Sequence, residues 1–133
     1  MIEVPLHEIA HGRAGDKGNR LNISVIAYAP AAWPIIKEQV TARKVHALFR
    51  HRGATKVERY VVENLHALNF VIDETLEGGV NSGLNLDTHG KSHSFRVLAL
   101  SVQLTSETLE SVRQARELAY QREIQPSRLR TMT

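Results

Sequence analysis

His11-Gly12-Arg13-Ala14-Gly15-Asp16-Lys17-Gly18-Asn19 leads through Arg20 into Leu21-Asn22-Ile23-Ser24-Val25-Ile26-Ala27-Tyr28. The second stretch alternates apolar and polar residues and carries β-branched side chains, the pattern of a half-buried strand. The first interleaves Gly12, Gly15 and Gly18 with charges of both signs. Glycine is tolerated best where the backbone needs a positive φ or a close approach to another group. The run therefore reads as a loop that holds polar atoms in set directions, and loops of that kind carry function.

Outward from this stretch, residues 3–11 read as a strand, with Val4 and Leu6 alternating with polar neighbours and Pro5 at an edge position. Pro30 ends the strand at 21–28. Trp33, Ile36 and Val40 share one helical face, and Val45, Leu48 and Phe49 lie on a rotated one. The phase breaks at Thr41, a good N-cap residue, so the spacing predicts two helices, 32–40 and 42–51. A strand follows at 55–62. Leu65, Leu68, Ile72 and Leu76 then recur at helical spacing before Gly78-Gly79, which predicts a helix, with a strand through Asn69–Ile72 as the rival reading. Residues 80–87 and 93–104 read as strands joined by the turn Asp87-Thr88-His89-Gly90. Residues 106–122 form an amphipathic helix, and the tail from Pro126 reads as mobile. The order of strands and helices predicts an α+β fold, a mixed or antiparallel sheet with helices mainly on one face and an added C-terminal helix.

A chain of 133 residues, 42% hydrophobic and 23% charged, is of a size and composition for one globular core. The expected division is a domain over 1–104 and a C-terminal helix with a basic tail over 105–133. No apolar run approaches a membrane span of about 20 residues, and Met1-Ile2-Glu3-Val4-Pro5 lacks the features of a signal peptide. There is no cysteine, which fits a cytoplasmic setting and excludes disulfides and thiolate-held clusters. A net charge of +3 and 5% aromatics without basic-aromatic interleaving argue against nucleic acid as partner.

His7-Glu8-Ile9-Ala10-His11 matches the HExxH pattern of zinc peptidases. That chemistry needs two turns of helix to place both imidazoles on one face. Pro5, Gly12 and the strand-like alternation oppose a helix, and no third ligand stands downstream. His89 and His93 flank the expected turn and read as solvated. His46, His51 and His66 read as surface or half-buried positions on helical faces. No metal or cofactor is expected. The glycine run is not a phosphate-binding P-loop, because Asn19 stands in place of the hydroxyl and a strand follows instead of a helix. An anion on the loop amides beside Arg13 and Lys17 is one reading; Asp16 pairing with either base to fix the loop is the other.

Four stretches resemble the acyclic terpene utilisation (AtuA-like) family, and within it the small ferredoxin-fold domain. They are Ala10–Asn19 with Asn22-Ile23; Val57-Glu58-Arg59-Tyr60 with Asn64-Leu65; Ala67–Val71 running to Leu76–Val80; and Leu86-Asp87 with Gly90-Lys91. Ala14 stands where the family commonly has Ser. The resemblance spans about residues 4–104. It implies a ferredoxin-like α/β sandwich, a setting in the breakdown of terpene-derived or branched acyl-CoA compounds, and a separately encoded large AtuA-type partner. The candidate ligand- or partner-binding residues are Arg13, Asp16, Lys17, Asn19, Asn22, Asn64, Asn69, Gly78, Gly79 and Lys91.

Three functions follow as expectations. The first is an accessory subunit of a larger enzyme, with the glycine run facing a partner, a substrate carboxylate or a CoA phosphate. The second is a self-sufficient enzyme on an acyl-CoA or hydroxy acid, with Asp16 as base and Lys17 or Arg13 as clamp. The third is a non-catalytic homo-oligomeric module assembled through the helix at 106–122.

Overall fold

The computed structural model describes residues 1–17, 20–50, 53–73 and 93–124, with backbone only for Asp16 and Lys17. Strand β2 (Ala10–Lys17) pairs antiparallel with β3 (Arg20–Ala27) along its whole length, from Ala10 opposite Ala27 to Lys17 opposite Arg20. Two helices follow, α1 (Trp33–Gln39) and α2 (Ala42–Phe49), and then β4 (Lys56–Val62) and β5 (Ala67–Asp73). The four strands make one antiparallel sheet in the order β2-β3-β5-β4. β5 thus inserts between β3 and β4, the two strands joined through the helix pair. This is the split arrangement of a ferredoxin-like sandwich, with β2 taking the place beside β3.

A second, two-stranded sheet joins β1 (Ile2–Pro5) to β6 (Ser101–Leu104), with Ile2 opposite Leu104. The outer edge of β6 is closed by a side chain: the Gln39 amide donates to the Gln103 carbonyl and accepts from the Gln103 N–H, both at 2.7 Å. Residues 93–98 are helical (α3), and α4 (Ser106–Ile124) follows β6.

One core serves all of these elements. β3 contributes Leu21, Ile23 and Val25, and β5 contributes Leu68, Phe70 and Ile72. Against them pack Ile36 of α1, Val45 and Phe49 of α2, Val97 and Leu98 of α3, and Leu109 and Val112 of α4. Burial of such side chains is the main favourable term in folding. Thr41 caps α2 as its spacing predicts, its Oγ1 accepting from Lys44 N at 3.2 Å. Arg59 ties β4 to α1, donating to the carbonyls of Lys37 and Val40 at 2.9 and 2.8 Å.

Four sequence-based expectations change. The glycine run is a strand up to Lys17, not a loop. Residues 3–11 divide into β1, a 3-10 turn at Leu6–Glu8 and the start of β2. The helix expected over 65–76 is replaced by β5, so the rival strand reading holds. Residues 93–98 of the expected strand at 93–104 are helical, and only 101–104 are extended. The strand expected at 80–87, the turn at 87–90, the Gly78-Gly79 stop and the tail from Pro126 lie outside the described residues.

Candidate functional site

Alternation along each strand sends one residue in two to the helices and the next to the opposite face. The register fixes that opposite face as four rows across the order β2-β3-β5-β4. From one end they read Lys17, Arg20, Asp73, Lys56; then Gly15, Asn22, Val71, Glu58; then Arg13, Ser24, Asn69, Tyr60; and finally His11, Ile26, Ala67, Val62. No described helix packs on this face, and Arg13, Asn22 and Tyr60 are exposed. Charged pairs occupy one end, with Arg20 bound to Asp73 at 2.8 Å and Lys56 near Glu58 at 3.3 Å. The other end is apolar.

At the apolar end and the row beside it lies a depression of about 510 Å³ lined by His11, Arg13, Ser24, Ile26, Val62, Leu65, Ala67, Leu68 and Asn69. Ser24 Oγ donates to Asn69 Oδ1 at 3.3 Å. With Oδ1 accepting there, the Asn69 NH₂ remains a donor without a partner among the described residues. Among the described residues, Arg13 takes no hydrogen-bond or ion-pair partner. The row therefore presents donors from both flanks of Ser24.

His11 is held by an aromatic stack. Its ring lies 5.1 Å from the Tyr28 ring at 29°, and the Arg116 guanidinium of α4 sits 3.9 Å over Tyr28. Burial, and then the charges of Arg13 and Arg116, hold the His11 pKa below its ordinary value. Both influences favour the uncharged imidazole. A second cleft of about 560 Å³ adjoins the first at His11, between β2, α3 and α4, with Tyr28, Phe95 and Arg116 on its walls. Gly12 permits the close packing there: a Cβ would lie 3.2 Å from Ser24 O and 3.4 Å from Leu98 Cδ1.

Of the sequence candidates, Arg13, Asn22 and Asn69 come together on this face. Asn64 sits in the exposed 3-10 turn Glu63–Leu65 beyond it. Asp16 and Lys17 lie in β2 opposite Leu21 and Arg20. Asn19, Gly78, Gly79 and Lys91 lie outside the described residues. Sequence reasoning missed Ser24 and His11 as neighbours of Arg13, and Arg116 as the cation over Tyr28 beside His11. Treating 11, 13 and 15 as period-two partners of 26, 24 and 22 would have found the first two.

His7 stands in a 3-10 turn and His11 in a strand, so they do not share the helical face of a zinc-peptidase motif. No group of three or more His, Asp or Glu among the described residues could hold a metal ion. None of the described helices is long and apolar enough to cross a membrane. α4 buries Leu109 and Val112 within its own chain, while Leu118 and Tyr120 farther along it stay exposed.

A family model described as AtuA ferredoxin-like domain matches residues 4–103. No curated protein and no solved structure matches the chain.

Proposed function

The chain belongs to the AtuA ferredoxin-like domain family, and from that membership we propose that it is an accessory component of a larger enzyme in the catabolism of terpene-derived or branched acyl-CoA compounds. The sheet face on which no described helix packs is the surface it contributes. One observation carries the reading: Arg13, Ser24 and Asn69 line up across three strands with nothing described packed over them. Side chains on a paired sheet are held more firmly than side chains on a loop, which suits a surface that completes another protein's site. Lys17 adds a base to the same strand.

Co-purification from the native source, followed by an acyl-CoA turnover assay, tests this. Turnover should need both the chain and a large co-purifying subunit. Lys17→Ala should weaken that association and leave the melting temperature nearly unchanged. Turnover by the isolated chain would overturn the accessory role and favour a self-sufficient enzyme.

A further inference from the structure

Resting on that reading of the sheet face, we infer that the depression across β2, β3 and β5 binds a carboxylate carrying a compact aliphatic body. Its polar part is a set of donors. The Arg13 guanidinium is unengaged among the described residues, and the Asn69 NH₂ is left over once Ser24 has taken Oδ1. No acidic side chain is among the described lining residues. A guanidinium matches the two oxygens of a carboxylate in its fixed fork geometry. About two strand spacings, roughly 10 Å, separate Arg13 from Asn69 across the sheet, so the anion lies between them above Ser24.

The remaining wall is apolar. Ile26, Val62 and Ala67 form the floor of the last row, and Leu65 stands at the rim with 65% of its surface exposed. A volume of about 510 Å³ falls in the range of small-molecule sites, about 300–1,000 Å³. His11 stands at the β2 end of this same row, two residues from Arg13 along the strand, and its burial favours the uncharged imidazole there.

Gly15 is an independent pointer. It lies two residues from Arg13 on the same face, opposite Asn22. Its φ is not positive, and a Cβ built there meets nothing within 4 Å. Nothing among the described residues requires glycine at this position, although glycine weakens a strand. The bare backbone leaves open space beside Arg13 for the head of a ligand.

Hexanoate is the probe, titrated into the full chain and followed by backbone amide shifts. Hexanamide, acetate and inorganic phosphate serve as the neutral, tailless and phosphate comparisons. Hexanoate should produce saturable shifts at Arg13, Ser24 and Asn69. Its affinity should exceed that of each comparison ligand at least tenfold and fall at least tenfold in Arg13→Gln. Gly15→Val should also lose affinity while melting no lower than the parent, a combination that a purely structural role would not give. Absent saturation, unchanged affinity in Arg13→Gln, or phosphate or hexanamide binding as tightly as hexanoate would each overturn the assignment. Chain-dependent turnover by the assembly without hexanoate binding overturns this ligand but not the accessory role. Hexanoate binding together with turnover by the isolated chain does the reverse.

Discussion

Gly12 and Gly15 sit three residues apart in β2, and alanine should act on them with opposite signs. At Gly12 the new Cβ would stand 3.2 Å from the Ser24 carbonyl oxygen and 3.4 Å from Leu98 Cδ1. The first neighbour is backbone in the middle of the sheet, bounded by β2 and β5, and it cannot yield cheaply. Overpacking of this kind costs about 1–3 kcal/mol. Replacing glycine also narrows the unfolded ensemble, which returns about 0.4–1 kcal/mol. The net loss at Gly12→Ala is thus roughly 0.5–2 kcal/mol. At Gly15 no neighbour lies within 4 Å, so only the unfolded-state gain of about 0.4–1 kcal/mol remains. For a chain of this size about 1 kcal/mol moves the melting temperature by roughly 3–5 °C. The two variants should melt on either side of the parent, separated by roughly 3–15 °C. Thermal unfolding followed by circular dichroism, with urea midpoints as a check on the slope, measures this. A Gly12→Ala protein as stable as the parent, or a Gly15→Ala protein less stable, would refute the assignment of the two faces. A double-mutant cycle of Gly12→Ala with Leu98→Val should also be non-additive, since the two side chains compete for one space.

Leu109→Ala removes a side chain buried in the common core and should cost about 2–5 kcal/mol in urea unfolding; a loss under 1 kcal/mol would mean that α4 is only loosely attached. Thr41→Ala removes the cap on Lys44 N and should cost about 1 kcal/mol, with Thr41→Ser close to the parent. His11 has a lower pKa folded than unfolded, so the unfolded chain binds the extra proton first. Its contribution to stability is therefore complete above its ordinary value of about 6.5 and is lost as the pH falls below it. The urea midpoint should decline less from pH 7.5 to 5.5 in His11→Gln than in the parent. Arg116→Gln should move the His11 titration upward by NMR; an unchanged titration would show that burial and Arg13 set it without Arg116.

Some elements were legible because one periodicity dominated. β3 alternates strictly, Thr41 marks the break between the two helices, and Leu109 and Val112 mark the inward side of α4. β5 was obscured by arithmetic. Leu68 and Ile72 are four apart, a spacing that shares a face in a helix and also in a strand, and Leu65 extended the false stripe from a turn where it is exposed. Phe70, buried between them, carries the alternation. In α3 the apparent alternation of Phe95 and Val97 misled in the other sense: His93, Ser94, Val97 and Leu98 are buried at helical spacing, while Phe95 is exposed. In β2 the glycines hid the strand. Gly12 answers to Leu98, a residue 86 positions later, and Gly15 answers to no described neighbour. Arg13 was visible as a candidate, but its place beside Ser24 and Asn69 depends on pairings across three strands, which no local pattern contains.

The ribbon of β1 and β6 joins Ile2 to Leu104, and this has a consequence for the order of events in folding. Closing so long a loop is entropically costly while the intervening chain is loose, and a two-stranded ribbon has little stability by itself. The ribbon should therefore form after the main sheet and its helices have condensed, with Gln39 of α1 already in place to close the edge of β6. Val102→Ala, at a buried position of the ribbon, should then speed unfolding while leaving the refolding rate almost untouched. The two-stranded sheet acts as a latch: it contributes little to how fast the chain reaches its fold and much to how long the chain stays there.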